Sequence, residues 1–156
     1  VPNGKLGPQS LHPDRPTAVT GPQGLPLIKP PYSRLTAYDM HRGEIVWQTP
    51  TGVGSDRIRN HPALADLDLP PLGGQMTTSG PLITKTLVML GLGPAGSGDS
   101  AQLVAYDKAT GAPLAQVALP SRPLGTPMTY AVEGRQFIVL TLQGAQMVAL
   151  ALPLAP

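Results

Sequence analysis

An all-β fold built from repeated short antiparallel sheets, as in part of a β-propeller, is what this sequence predicts, on three observations. The first is a passage written twice: LTAYDMHRGEIVWQTPTG at residues 35–52 returns as LVAYDKATGAPLAQVALP at 103–120, Leu35 matching Leu103 and Asp39 matching Asp107. The second is texture. From Leu35 onward, short apolar and β-branched runs are punctuated by Gly and Pro, the pattern of strands joined by tight turns. The third is composition: 20 Pro and 18 Gly among 156 residues leave little room for long helices.

Residues 1–33 include VPNGKLGPQSLHPDRPTAVTGPQGLPLIKPP, where proline recurs too often for a helix or a central strand to persist, so they read as an extended arm. Residues 34–156 read as the sheet-forming part. Strands are expected at Arg34 to Tyr38, Ile45 to Thr49, Gln75 to Thr78, Leu82 to Leu90, Gln102 to Tyr106, Leu114 to Leu119, Met128 to Val132, Gln136 to Leu142 and Met147 to Leu152. In each copy of the repeat a strand ending Ala-Tyr-Asp runs into a loop that closes at Gly43 or Gly111. Asp can accept hydrogen bonds from amides two and three residues on, and Gly takes the positive φ that closes a hairpin with a bulge. Each copy is therefore expected to be a hairpin. A third, weaker echo, MVALALP at 147–153, lacks the Asp, and EG in VEGRQ marks another hairpin. The strands fall into groups of two, four and three. A four-stranded blade buries both faces only against neighbours, so the ring is expected to be incomplete here, with about two blades present.

Composition also excludes functions. The net charge of +2 arises from 11 basic and 9 acidic residues scattered without a run, which leaves no electrostatic footprint for nucleic acid. Cysteine is absent, so thiolate chemistry, disulfides and Cys-based zinc sites are out. The apolar runs LITKTLVMLGLG and VALALPLAP are interrupted by Lys, Thr, Gly or Pro before reaching the roughly 18 residues that span a bilayer. The sequence starts at Val1 with no initiator Met and no signal-peptide order, and is expected to be a segment of a longer protein.

Six phrases in order, GPQGLPLIKPPYSRLTAYDMHRGEIVWQTPTG, RNHPAL, LITKTLVMLG, LVAYDKATG, TPMTYAVEGRQFIVL and finally MVALALP, with PPYSRLTAYD and TPMTY the most specific pieces, give a resemblance that spans roughly residues 20–153. The chain resembles the carboxyl-terminal end of the pyrroloquinoline-quinone (PQQ)-dependent dehydrogenases of the quinoprotein glucose dehydrogenase type. The resemblance implies an eight-bladed propeller, to which this chain contributes the outer half of one blade, the whole of the next and three strands of the last. It implies PQQ on the propeller axis with a calcium ion (Ca2+) beside it, a sugar or alcohol substrate, a cytochrome or ubiquinone as electron acceptor, and a periplasmic location. The remaining blades and the principal catalytic and calcium-binding groups would lie outside this sequence, and the segment alone would be inactive.

On the family's topology the loops Gly52 to Gly74 and Gly91 to Ala101, the segment Pro120 to Pro127 and the turn Gln143 to Gln146 point to the cofactor-bearing face. The long first loop accounts for the spacing of the two copies and could help form a lid. It also holds Arg59, Asn60 and His61. Arg59 and Asn60 could donate to quinone carboxylates or carbonyls, although an Arg beside a loop Asp is as often a surface ion pair. His61 is a candidate base or cofactor contact whose structural alternative is a loop histidine bonded to backbone. Gly144 stands in a Gln-Gly-Ala-Gln turn where the family more often has a Gly-Gly pair and a longer loop; Asn60, His61 and Gly144 are the candidate cofactor contacts. No residue is assigned as catalytic. Calcium needs six to eight oxygens, and the only close acidic pair, Asp66 and Asp68, reads as a solvated loop, so no metal ligand is assigned. Trp47 is expected to pack between blades, and Ala115, its counterpart in the second copy, to leave a looser seam. The competing readings are a noncatalytic propeller scaffold that binds protein partners and a free-standing small β domain, whose open strand edges would need the arm as cover.

Overall fold

The computed structural model describes residues 21–75, 79–96 and 99–151. Within them the chain is all-β, a partial β-propeller of three antiparallel sheets with two, four and three strands. The first sheet pairs β1 (Arg34–Asp39) with β2 (Glu44–Pro50); the second runs β3 (Leu82–Ile83), β4 (Leu87–Leu92), β5 (Ala101–Asp107), β6 (Pro113–Leu119); the third runs β7 (Pro123–Val132), β8 (Arg135–Leu142), β9 (Gln146–Ala151). One short helix, α1 (Asp56–Arg59), and 3-10 turns at Pro22–Gly24 and Pro62–Leu64 are the other regular pieces.

The repeated passage forms two hairpins of one design. In the first, Asp39 Oδ1 accepts from the backbone N–H of His41 at 2.9 Å and of Arg42 at 3.2 Å, and Gly43 N–H donates to the Asp39 carbonyl at 2.7 Å. In the second, Asp107 Oδ1 accepts from Ala109 N–H at 2.9 Å, Thr110 N–H at 2.8 Å and the Thr110 hydroxyl at 2.9 Å. Gly43 and Gly111 take φ of +69° and +74°, and both strand pairs shift register at the Ala-Tyr step. A carboxylate that collects donors is favoured in its charged form. The Thr110 hydroxyl, then the Thr110 and Ala109 amides, accordingly hold the Asp107 carboxyl below the ordinary carboxylate range. Its contribution is present above the unfolded carboxyl's titration and is lost as pH falls toward the lowered folded value. Asp107→Asn is expected to destabilise the protein at neutral pH, with the gap to wild type closing as the pH drops below the carboxylate range; chemical unfolding at several pH values reads this.

The second sheet is covered on both faces because alternate residues of a strand point to opposite sides. Val88, Leu90, Leu92, Val104 and Tyr106 form one buried cluster, against which Leu35 of the first sheet packs. Met89, Ala101, Leu103 and Leu119 form another with Leu140 and Leu142 of the third sheet. Burial pushes the Tyr106 phenol up from its usual range. At the first seam Trp47 lies on Gly111, where a Cβ would overlap the indole, and its Nε1–H donates to the Lys108 carbonyl at 3.0 Å. The ring therefore ties the outer strand of one sheet to the repeat hairpin of the next.

Two expectations need correction. Leu82 to Leu90 is not one strand but two, β3 and β4, turned at Thr84, whose N–H donates to the Leu87 carbonyl at 2.9 Å while its Oγ1 accepts from Leu87 N–H at 3.1 Å. β3 is thus the first strand of the four, and Gln75, expected to open that sheet, lies outside any strand; the rest of that expected strand, residues 76–78, falls outside the described residues. The segment Pro120 to Pro127 is also shorter as a connection than expected, because β7 already begins at Pro123. Residues 1–20 of the arm and residues 152–153 of the third echo lie outside the described residues.

Candidate functional site: one face of the sheets

Alternation of antiparallel strands places the β2–β3, β4–β5, β6–β7 and β8–β9 connections at one end of the sheets. Hydrogen bonds link them in pairs. Gln143 N–H donates to the Arg122 carbonyl at 2.8 Å, and the Ser121 hydroxyl donates to the Gln143 carbonyl at 3.0 Å, so the last two connections meet. The Gln75 amide joins the first two, donating through Nε2 to the Gly93 carbonyl and accepting at Oε1 from Val53 N–H, both at 3.2 Å.

The largest feature of this face is the insertion between β2 and β3. Its two ends are laced together: Leu72 N–H donates to the Val53 carbonyl at 3.0 Å, Gly73 N–H to that of Gly52 at 3.0 Å, and Gln75 N–H to that of Thr51 at 3.3 Å. Ser33 supports the base, its Oγ accepting from Gly74 N–H at 2.6 Å and sharing a hydrogen bond with the Thr51 hydroxyl. The insertion is a closed loop with its own apolar filling, Ile58 and Leu72 being 3% and 2% exposed.

Each candidate residue can now be placed. Arg59 donates to three carbonyls of the insertion, from Nη1 to Val53 at 3.1 Å and Pro70 at 3.3 Å, and from Nη2 to Leu69 at 3.5 Å. Its fork braces the loop from inside. Asn60 follows α1 as its C-cap, exposed, with its backbone N–H on the Asp56 carbonyl at 2.9 Å. His61 caps the next 3-10 turn: Nδ1 accepts from Ala63 N–H at 3.2 Å, and Nε2 lies 3.1 Å from the Gln23 carbonyl. An acceptor at Nδ1 and a carbonyl beside Nε2 select the neutral tautomer with hydrogen on Nε2. With Arg57, whose Nη1 donates to the Gly24 carbonyl at 3.0 Å, His61 fastens the arm to the insertion. A cavity of about 200 Å³ lies between them, lined among others by Leu27, Tyr32, Ile58 and Leu64.

Gly144 sits apart from Asn60 and His61, in the β8–β9 turn. It takes φ +87° and Ala145 takes +56°, two consecutive left-handed residues in the three-residue turn between paired Leu142 and Gln146, and a Cβ on Gly144 would meet nothing. The backbone requires the glycine for the turn itself. Gln75 and Ser33 are the polar groups that sequence reasoning missed; Gln75 lies in a run that resembles a strand, and its partners are distant in the chain.

A second cleft, of about 470 Å³, opens between β2 with the insertion and β4 to β6, and Gln75, Leu92, Gln102, Tyr106 and Gln116 are among its walls. Neither this cleft nor the face gathers a metal-binding set: among the described residues there is no group of three His, Asp or Glu side chains placed to hold an ion. Asp39 and Asp107 are spent on turns, Glu44 pairs with Arg42 at 3.3 Å, and Asp66 and Asp68 are exposed. Among the described residues, then, no set of side chains is gathered for calcium, and the Arg59 fork is turned to backbone carbonyls, while Asn60 is exposed.

A family model described as PQQ, glucose/ethanol/alcohol dehydrogenase, beta-propeller domain, matches residues 4–138. The chain is similar to a probable quinate dehydrogenase (quinone) of Xanthomonas campestris pv. juglandis, 34% identical over 129 residues, covering 79% of this chain and 15% of that protein. It is also similar to the quinoprotein glucose dehydrogenase of Escherichia coli (strain K12), 32% identical over 144 residues, covering 85% of this chain and 17% of that one. A glycerol dehydrogenase large subunit of Gluconobacter thailandicus is 29% identical over 127 residues, 78% of this chain and 16% of its own length. The chain spans less than a fifth of each of these relatives. By the extent of the family match, and in agreement with the sheets just described, the chain belongs to the PQQ-dependent glucose/ethanol/alcohol dehydrogenase β-propeller family.

Proposed function

We propose that this chain is the carboxyl-terminal, rim-forming part of a quinoprotein dehydrogenase that oxidises a CH–OH group of a sugar or alcohol with PQQ as acceptor. Electrons then pass to a cytochrome or ubiquinone, and the enzyme works in the periplasm with calcium beside the quinone. The observation that carries this reading is the family match over residues 4–138, a range that takes in the whole insertion and the first two sheets. The relatives named for glucose, quinate and glycerol share a hydroxyl-bearing carbon as the oxidised group, which supports the substrate class. In this reading the chain's residues shape and brace the face. The principal catalytic and calcium-binding groups come from the rest of the protein, and Asn60, His61 and Gly144 are this chain's candidate contacts to the cofactor.

The test has two arms. Residues 1–156 titrated with PQQ and calcium are expected to show no saturable micromolar binding, whereas the longer protein carrying them, reconstituted with both, is expected to reduce a dye with glucose, quinate or glycerol. Micromolar binding by the chain alone would contradict the placement of the ligands elsewhere. A longer protein that folds, binds protein partners and never reduces the dye would be the noncatalytic scaffold instead.

A further inference from the structure

Gln75 is 8% exposed, and its side-chain amide spans two connections that belong to different sheets. Oε1 accepts from Val53 N–H, at the mouth of the insertion, and Nε2 donates to the Gly93 carbonyl, in the β4–β5 connection, each at 3.2 Å. The backbone N–H of Gln75 is also held, by the Thr51 carbonyl at 3.3 Å. Neighbouring geometry is fitted to this amide: a Cβ on Gly52 would overlap the Gln75 side chain, so the chain passes there only as glycine. A buried amide satisfied at both ends fixes its partners more firmly than either bond alone, since moving one strands a polar group away from water.

The rest of the insertion is braced internally, by Arg59 and by the laced ends, and to the arm by His61 and Arg57. Those bonds make it one body; toward the β4–β5 connection it also has the Asp56 side chain resting on Gly96, where a Cβ would overlap the carboxylate, and the Gln75 amide, whose hydrogen bond to Gly93 is directional. We propose that Gln75 is a positioning residue that sets the insertion, residues 53–72, against the second sheet, making it a fixed wall of the substrate-bearing face and not a moving lid. This rests on the reading of that face given under Proposed function. Gln75 touches no reacting atom; it acts through the wall it holds.

The test uses the longer protein that contains this chain. Gln75→Met keeps the length and removes both bonds. It is expected to speed amide exchange at Val53 and across 53–72, and to raise the KM for the alcohol substrate on the order of tenfold with kcat changed by less than about twofold, the signature of misplaced binding surface. Gln75→Glu supplies a second readout and guards against a variant that folds poorly. Ionised, it repels the Gly93 carbonyl; protonated, it is isosteric with Gln and can again donate to Gly93 and accept from Val53. Its exchange and KM defects are expected to shrink relative to wild type as pH falls through the titration of that carboxyl, which a general loss of packing would not do. Unchanged exchange in Gln75→Met overturns the proposed bridge. Faster exchange with an unchanged KM overturns the role at the substrate face. A longer protein without any dehydrogenase activity defeats the reading under Proposed function, while the exchange measurement still decides whether Gln75 holds the wall.

Discussion

Truncating Trp47 to alanine is expected to destabilise the protein by about 2–4 kcal/mol, somewhat below the range for fully buried aromatic truncations because the ring is half-buried. Two losses combine. The indole surface leaves Gly111, whose missing Cβ exists to admit it, and the Lys108 carbonyl loses the donor at 3.0 Å. Leu35 packs toward β5 from the same sheet, but it is Trp47 that caps the repeat hairpin at Gly111, so the effect falls on the seam between two sheets, not on either sheet's own ladder. Urea unfolding reads the stability change. Trp47→Phe separates the contributions: it keeps most of the packing and drops the hydrogen bond, and should recover more than half of the loss. A change below about 1 kcal/mol in Trp47→Ala would mean that the ring merely rests on the surface.

Leu142→Ala is the second large effect, expected at about 3 kcal/mol from lost apolar transfer plus an imperfectly collapsed cavity. Leu142 is 2% exposed and shares its cluster with Met89, Leu103, Leu119 and Leu140, which close the seam between the second and third sheets with aliphatic groups. This seam needs no counterpart of Trp47. Ala115, at the equivalent place in the second copy of the repeat, is exposed, and β7 comes close to β4 at Gly91, where a Cβ would lie 2.7 Å from Pro123 Cβ. Unfolding of the single and double variants by urea checks both claims. Since the two seams share no residues, the losses in Trp47→Ala and Leu142→Ala should add to within a few tenths of a kcal/mol. Strong non-additivity would mean that one sheet repacks when the other seam is damaged.

The parts of the fold that were legible are those whose determinants are close in the chain. Asp39 with Gly43, and Asp107 with Gly111, each specify a hairpin inside five residues, and the unbroken apolar run of β4 is what a strand covered on both faces requires. The turn at Thr84 was not legible because Thr-Lys-Thr-Leu contains none of the usual turn residues. It closes through the Thr84 hydroxyl and is held from outside, where Lys108 N–H donates to the Thr86 carbonyl at 2.9 Å. The candidate site divides in the same way. Asn60 and His61 were singled out because they lie together in a recognisable phrase, and Gly144 because it is a glycine in a turn; the alternative of a backbone-bonded His61 was legible, but its partners Gln23 and Ala63 were not.

By itself, then, the amino-acid order determined the all-β class, the two matched hairpins and the dehydrogenase family, since all of these are written in local patterns or in their succession. Only the tertiary structure decided where β3 ends and β4 begins, which groups Arg59, His61 and Gln75 hold, and how the two seams are filled. Those outcomes depend on partners such as Val53 and Gly93, 22 and 18 residues from Gln75, which come within hydrogen-bonding distance only after the sheets have packed.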